Sequence, residues 1–243
     1  MAVSMRKIKA LLRKEVKTLP KNKNVLFMSL IPILLSVFCN YLLGNSNRGN
    51  PMVATEMLFV CVGMNVTLIS SYIVAMLIAE EKEKNTLRTL MLSGVTPMEF
   101  FVGKMLITVL MSEITDLAIF FIIGVDIRYL GTFLLLTTLV VLSMIGIGGA
   151  IGIIAPNQMA TGMIGMPVLM VLVFVPMLAL INDTMAKISK FLPNYSMKLL
   201  LDQTMLGAKS GVQALFQIMV IILWIILSAV VFTVTYHKIG LDK

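Results

Sequence analysis

The chain has 243 residues, of which 58% are hydrophobic and only 13% charged, and its mean hydropathy is +0.97. A soluble domain of this length needs far more polar surface, so the composition excludes an ordinary water-soluble enzyme and makes a bilayer the natural solvent. The net charge of +8 fits basic residues flanking membrane spans on the cytoplasmic side, and that reading displaces nucleic-acid binding.

The opening, MAVSMRKIKALLRKEVKTLP, is basic over a long stretch and has no small-residue cleavage site after its first apolar run. A cleaved signal peptide is not expected. Residues 3–19 predict a helix with Ile8, Leu11, Leu12, Val16 and Leu19 near one face and Arg6, Lys7, Lys9, Arg13, Lys14 and Lys17 elsewhere. Such a basic amphipathic helix suits the headgroup layer of a membrane. Pro20 ends it and KNKN makes a polar hinge. Residues 1–24 thus stand apart from a spanning domain over 25–243.

Six apolar runs come next, near 25–43, 57–79, 97–125, 129–155, 159–181 and 212–236. A span needs roughly 20 apolar residues to cross a core ~30 Å thick. The backbone must be satisfied internally, so the spans should be helices, and the short alternating segments of a β-barrel do not occur. The fold class is an all-α membrane protein with six spans. Fourteen Lys and Arg fall on the side of the amino terminus (1–24, 80–104, 155–160 and 237–243), and six on the other: Arg48, Arg128, Lys187, Lys190, Lys198 and Lys209. This bias places both termini in the cytoplasm. Cys39 and Cys61 lie inside apolar runs and do not form a disulfide framework.

Between the second and third runs comes IAEEKEKNTLRTLMLSGVTPMEF. Glu80, Glu81, Lys82, Glu83 and Lys84 end the second span, and Glu80 with Lys84 has the spacing of a helix-surface pair. Asn85 and Thr86 allow a bend, with Thr86 placed to cap the next helix. Leu87, Leu90 and Met91 recur at helical spacing around Arg88 and Thr89. Gly94 stops this helix. Thr96, Pro97 and Glu99 then make a capping box that starts the third span. A connector needs only a few residues. An amphipathic helix lying across the bundle either docks into another protein or rests on lipid headgroups.

Inside the third span, Glu113 and Asp116 are three residues apart and share a helix face. Carboxylates in a span call for protonation, pairing or water. Asn40, Asn65 and Thr67 could supply hydrogen bonds. The two readings are a hydrated pathway favouring cationic substrates, lined by Glu113, Asp116, Asn40 and Asn65, and a position near the outer leaflet close to water. In the fourth span, Gly148 and Gly152 permit close helix packing, expected within the subunit. Pro32, Pro167 and Pro176 mark expected kinks. The outer segment 182–211 is too apolar for a plain loop and predicts one or two short helices, with Met197, Leu200, Leu201 and Leu206 available to pack inward.

Catalytic and ligand motifs are missing. Gly103–Lys104 does not belong to a phosphate-binding loop, which requires G-x-x-x-x-G-K-[ST] after a strand. Met98 stands at the first glycine and Met105 comes after the lysine. The lone His237 sits just past the last span, without the cluster a metal needs, and no nucleophile constellation occurs. No cofactor and no enzyme chemistry are expected in this chain.

EEKEKNTLRTLMLSGVTPMEFFVGKML resembles the signature of ABC-2-type transporter permeases, in which E-x-E-x-G-T-L-x-x-L-L-x-x-P-V-S and a later G-K follow the second span. KALLRKEVKTLPKNKNVLFMSLIPILL is similar to the family's amphipathic first helix and proline-bearing first span, and FLPNYSMKLLLDQTMLG to its outer segment. Asn85 stands where glycine is usual and Gly94 near a usual proline. The resemblance implies that residues 80–96 hold a coupling helix seated in a separate ATP-binding subunit. The docking surface would comprise Glu80, Glu81, Lys82, Glu83, Lys84, Asn85, Thr86, Leu87, Arg88, Leu90 and Met91, with Arg13 and Lys14 from the first helix. It further implies two copies of that ATPase, which would hold ATP and Mg, and a second permease copy or homologue meeting this one through the first and fifth spans. The setting implied is the bacterial plasma membrane. The 21 methionines and the lack of a large outer domain point toward export of amphipathic peptides or hydrophobic drugs. A passive channel, or a peptide-binding immunity or scaffold protein without ATP coupling, is the alternative.

Overall fold

The computed structural model describes residues 4–44, 50–207 and 211–239. Arg48 and Lys209, two of the six cations on the far side of the orientation count, lie outside the described residues. Among those described, all regular structure is helical. Six helices are long and apolar enough to cross a membrane: Lys23–Leu42, Met52–Glu83, Pro97–Ile123, Ile127–Ile154, Gln158–Leu178 and Gly211–Ile239. These are the six predicted runs, with the second extended by several residues at each end.

In chain order, α1 (Met5–Thr18) leads through a 3₁₀ turn, Leu19–Lys21, into α2 (Lys23–Cys39), which continues as a π-turn over Asn40–Gly44. The second span joins α3 (Pro51–Met64) to α4 (Ser70–Glu83) through a π-turn at Asn65–Ile69. Then come α5 (Thr86–Leu92), α6 (Pro97–Ile123), a 3₁₀ turn at Ile127–Tyr129, α7 (Leu130–Ile154), α8 (Gln158–Leu178), α9 (Asp183–Ser189), α10 (Pro193–Met205) and α11 (Gly211–Ile239). Asparagines start four of these helices. The side chains of Asn22, Asn50, Asn157 and Asn182 accept from backbone N–H groups in the first turns of α2, α3, α8 and α9, satisfying donors that no helical carbonyl reaches. Pro32 lies within α2, and Pro167 and Pro176 lie within α8, without interrupting either.

The second span is the axis of the bundle. Of its most apolar stretch, 89% is buried inside the protein, against 22% for the first span, 28% for the fifth and 22% for the sixth. The largest packing surfaces join α7 to α11 and α4 to α7. Glycine makes both possible. A Cβ on Gly148 would lie 2.2 Å from the Ser71 carbonyl oxygen, one on Gly152 2.8 Å from that of Ala75, and one on Gly146 2.5 Å from that of Ser228. The glycine stripe therefore serves packing within the subunit, as its spacing predicts.

Two expected faces need correction. In α1 and the turn after it, Ile8, Leu11 and Leu19 are buried, but Val16 is 49% exposed and Leu12 only half-buried, while Glu15 is 4% exposed. The buried ammonium of Lys104 draws Glu15 inward in place of the apolar side chain. In the segment 182–211, α9 and α10 form as predicted and Met197, Leu200 and Leu201 are buried. Leu206, however, lies past the last turn of α10 and is exposed.

Candidate functional site

The site grows from the end of α4. The chain breaks there because Asn85 takes a left-handed conformation, φ 54°, which asparagine tolerates better than most residues with a Cβ. That explains why asparagine can stand at the glycine of the permease signature. Seven residues of α5 come next, and Gly94 at φ 82° turns the chain again. Thr96 and Glu99 form the predicted capping box, with Pro97 in the first turn. Leu87 is buried in the main core, and Leu90 and Val95 pack against it. Lys84, Asn85, Thr89, Leu92 and Ser93 face outward, Leu92 with 81% of its surface free. The side chains of Arg88 and Met91 lie outside the described residues.

The acids and bases at the end of the second span mostly turn inward, each toward a different element. Glu80 accepts from Asn22 Nδ2 at 2.7 Å and pairs with Lys84. That pairing holds the Lys84 ammonium above the ordinary lysine pKa. Lys82 Nζ donates to the Ile153 and Ala155 carbonyls at 2.6 and 2.7 Å, closing the C-terminus of α7 with a positive charge. Glu83 accepts from Gln158 N at 3.1 Å, closing the N-terminus of α8 with a negative one. Thr86 is the first residue of α5, and its hydroxyl turns back and donates to Glu81.

Glu81 is the hub. Its Oε1 lies 2.6 Å from Lys14 Nζ and 3.0 Å from Lys104 Nζ, and Lys104 in turn reaches Glu15 Oε1 at 2.8 Å. Glu81, Glu15 and Lys104 are all buried. Two lysines against two glutamates leave the cluster neutral, the condition under which charges can stay desolvated. Four elements meet in it: α1, α4, α5 and α6. Beside it opens a cavity of about 230 Å³ lined by Lys14, Glu15, Asn22, Glu80, Lys84 and Lys104, among others. A second tie lies nearby. Glu99 Oε1 accepts from Ser4 N at 2.8 Å, and Lys7 Nζ donates to the Gly94 carbonyl at 2.6 Å. The helix α1 is thus fastened to both ends of the α5 loop. Of the predicted docking residues, Arg13 is exposed on the far side of α1, whereas Lys14 belongs to the network.

A model of the ABC-2 family transporter proteins matches residues 44–235. The chain belongs to the ABC-2 transporter family. It is therefore a multi-pass membrane component of a transporter, not itself catalytic. Comparison with curated proteins finds no match. The family match takes in α5 and the outer segment but begins after the first span, so α1 and its ion pairs lie outside it.

Within the spans of this ABC-2 protein the predicted pathway residues do not share one environment. Asp116 is completely buried and faces the second span, where Asn65 Nδ2 donates to its Oδ1 at 3.0 Å and to the Ser112 carbonyl at 3.1 Å. Glu113 faces the fourth span, accepting from the hydroxyls of Thr137 and Thr138 at 3.2 and 3.0 Å. Asn40 Nδ2 donates to the Ile122 carbonyl at 2.7 Å, far along α6 from Ser112. Residues three apart differ by about 60° around a helix, enough here to give the two carboxylates different neighbours.

At the opposite end of the bundle, Lys198 on α10 sits between Glu56 and Asp202 at 2.8 and 2.7 Å. Burial pulls its pKa down, but the hydrogen bonds and charges of the two carboxylates outweigh that and hold it above the ordinary lysine value. This pairing allows the second span to begin as early as Met52 despite an acid in its second turn.

The sequence singled out neither Lys104, Glu15 and Lys198 as ion-pair partners nor Thr137 and Thr138 as carboxylate donors. One signal existed. Lys104 lies seven residues inside an apolar run, where a cation needs a carboxylate to balance it.

Proposed function

We propose that this protein is the permease subunit of an ATP-driven exporter and that a separate ATP-binding subunit docks at its α5 end. The observation that carries the reading is the anchorage of α5. Leu87 roots it in the main core, and the neutral network of Lys14, Glu15, Glu81 and Lys104 ties its first turn to the central span. A partner that displaces α5 therefore displaces the second span, which packs against most of the bundle. The chemical step belongs to the partner, which holds ATP and Mg. Two ATPase copies closing on each other would move two permease copies, identical or homologous, and release substrate outward. The α5 end is cytoplasmic, with both termini, in a bacterial plasma membrane. The substrate class is an amphipathic peptide or a hydrophobic drug.

Within residues 80–93 the docking face is drawn from the described side chains that face outward, since Glu81 and Leu87 are buried. Its contacts come from Thr89, Leu92, Ser93 and Lys84, with the neighbouring cavity taking a partner side chain. The test is co-purification of the full chain with its ATP-binding partner in lipid, comparing the native sequence with Leu92→Glu. Leu92 is exposed, so this change leaves the core intact. Loss of the partner, or at least a tenfold loss of its regulation, is expected. A partner that never associates would transfer the family membership to a passive channel or peptide-binding scaffold. One that binds both forms equally would remove docking from α5.

A further inference from the structure

The outward side of α1 is built for one kind of surface. Arg6, Lys9, Arg13 and Lys17 succeed one another at helical spacing and are all exposed. They line a shallow groove with Ala10 and Lys14. None of the four has an ion-pair partner among the described residues. Next to this stripe, between it and the buried face, runs a second one of apolar side chains seven and four residues apart: Met5, 77% exposed, Leu12, half-buried, and Val16. Around α1 the order is therefore protein-facing, apolar and free, then basic and free.

The pitch of α1 agrees with that order. Ser4 meets Glu99 and Glu15 meets Lys104. Eleven residues of α1 advance about 16 Å while the matching five residues of α6 advance about 8 Å. The two ties are therefore about twice as far apart along α1 as along α6, so the two helices do not run parallel. It enters the first span through a three-residue turn, and that span's exposed apolar surface begins at Phe27. A docking face for an acidic protein needs no free apolar flank beside it. A helix in the headgroup layer does, with the apolar flank at the acyl boundary and the cations at the phosphates.

We propose that the N-terminal helix is a binding site for anionic phospholipid headgroups, read by Arg6, Lys9, Arg13 and Lys17 and seated by Met5, Leu12 and Val16. The ligand chemistry is a phosphodiester at the membrane surface. The site sits on the helix whose other face joins the Glu81 network, so bound lipid steadies the base of the second and third spans. The proposal is independent of ATPase docking at α5.

The test titrates phosphatidylglycerol, phosphatidylcholine and inorganic phosphate against the detergent-purified full chain and counts bound lipid by native mass spectrometry. Phosphatidylglycerol is expected to bind about tenfold or more tighter than phosphatidylcholine, to weaken with added salt, and to lose its preference in R6Q/K9Q/R13Q/K17Q. Unchanged thermal unfolding of that variant establishes that the helix is still folded and docked, since the substitutions break no ion pair among the described residues; Val16→Ser, in which only the flank is altered, supplies a second variant and is expected to weaken both lipids. Equal affinity for the two lipids overturns the proposal, as does a preference that survives neutralisation. Competition by inorganic phosphate would reassign the stripe to a soluble phosphate compound. Loss of a co-purified ATP-binding subunit from the quadruple variant, with lipid preference intact, would reassign it to protein docking.

Discussion

Lys104 is 3% exposed at the base of a long apolar helix. Burying a lysine there is tolerated because Glu15 and Glu81 approach its Nζ from two other helices. Removing one member of such a group strands the others without compensation, which costs about 3–5 kcal/mol, whereas replacing a whole buried set by apolar residues is often neutral. Lys104→Met should accordingly destabilise the protein by a few kcal/mol and loosen α1, leaving Glu15 buried and unpaired. Lys104→Met with Glu15→Leu should recover much of that loss, because Glu81 keeps Lys14 and Thr86. Thermal unfolding of the two variants in lipid, with protease sensitivity of residues 5–18 as a local readout, decides the matter. Equal destabilisation by the single and double changes would mean that the Glu15 charge is not what Lys104 compensates.

At the scale of elements, the contact between α4 and α7 rests on glycine. Overpacking a close helix contact costs typically 1–3 kcal/mol. A methyl group at Gly148 would fall 2.2 Å from the carbonyl oxygen of Ser71, in a helix whose own backbone cannot yield without moving the second span. Gly148→Ala is expected to cost at least the upper end of that range and to lower the yield of folded protein. Gly131→Ala, in the same helix but with nothing within 4 Å of the added carbon, should be neutral or slightly stabilising, since alanine loses less backbone entropy than glycine. Like behaviour of the two variants in thermal unfolding would refute the close-contact account. Elements of this kind were readable in advance because their signals are local: apolar run length, the capping box at Thr96, the stop at Gly94 and the small-residue spacing at Gly148 and Gly152. What escaped was pairwise and distant in sequence. A glutamate on an amphipathic helix normally faces water. Glu15 does not, because its partner is 89 residues away, and no pattern within α1 reveals that. The same holds for Lys198 and Glu56, and for the divergence of Glu113 and Asp116. In that pair the helix phase was right, but the neighbouring donors belong to the second and fourth spans.

At the scale of the whole molecule, one span is enclosed and three are largely bare. The second span sits on the axis, while the first, fifth and sixth bury only 22–28% of their apolar stretches. On the proposed permease reading, a second copy would cover part of that surface and lipid the rest. The sixth span already has its partner in α7, and its free side carries large aliphatic residues such as Leu223 and Ile226, which lipid accommodates without specific packing. The first span instead exposes Phe27, Phe38 and Tyr41 beside Leu34, and the fifth exposes Val171 and Phe174 around two helix-interior prolines. Aromatic side chains offer the large contact areas that dominate protein interfaces. Under that reading, the second copy is expected on the first and fifth spans, where the permease resemblance also puts it. Oxidative cross-linking in membranes tests this in a Cys39→Ser background, since Cys61 is buried and Cys39 is not fully so. Leu34→Cys together with Val171→Cys should yield a covalent dimer, and Leu223→Cys should not. Cross-linking through Leu223→Cys alone would move the seam to the sixth span. The enclosed second span would then lie farther from the pathway between the halves, and a push on α5 would have to reach that pathway through α7 and α11.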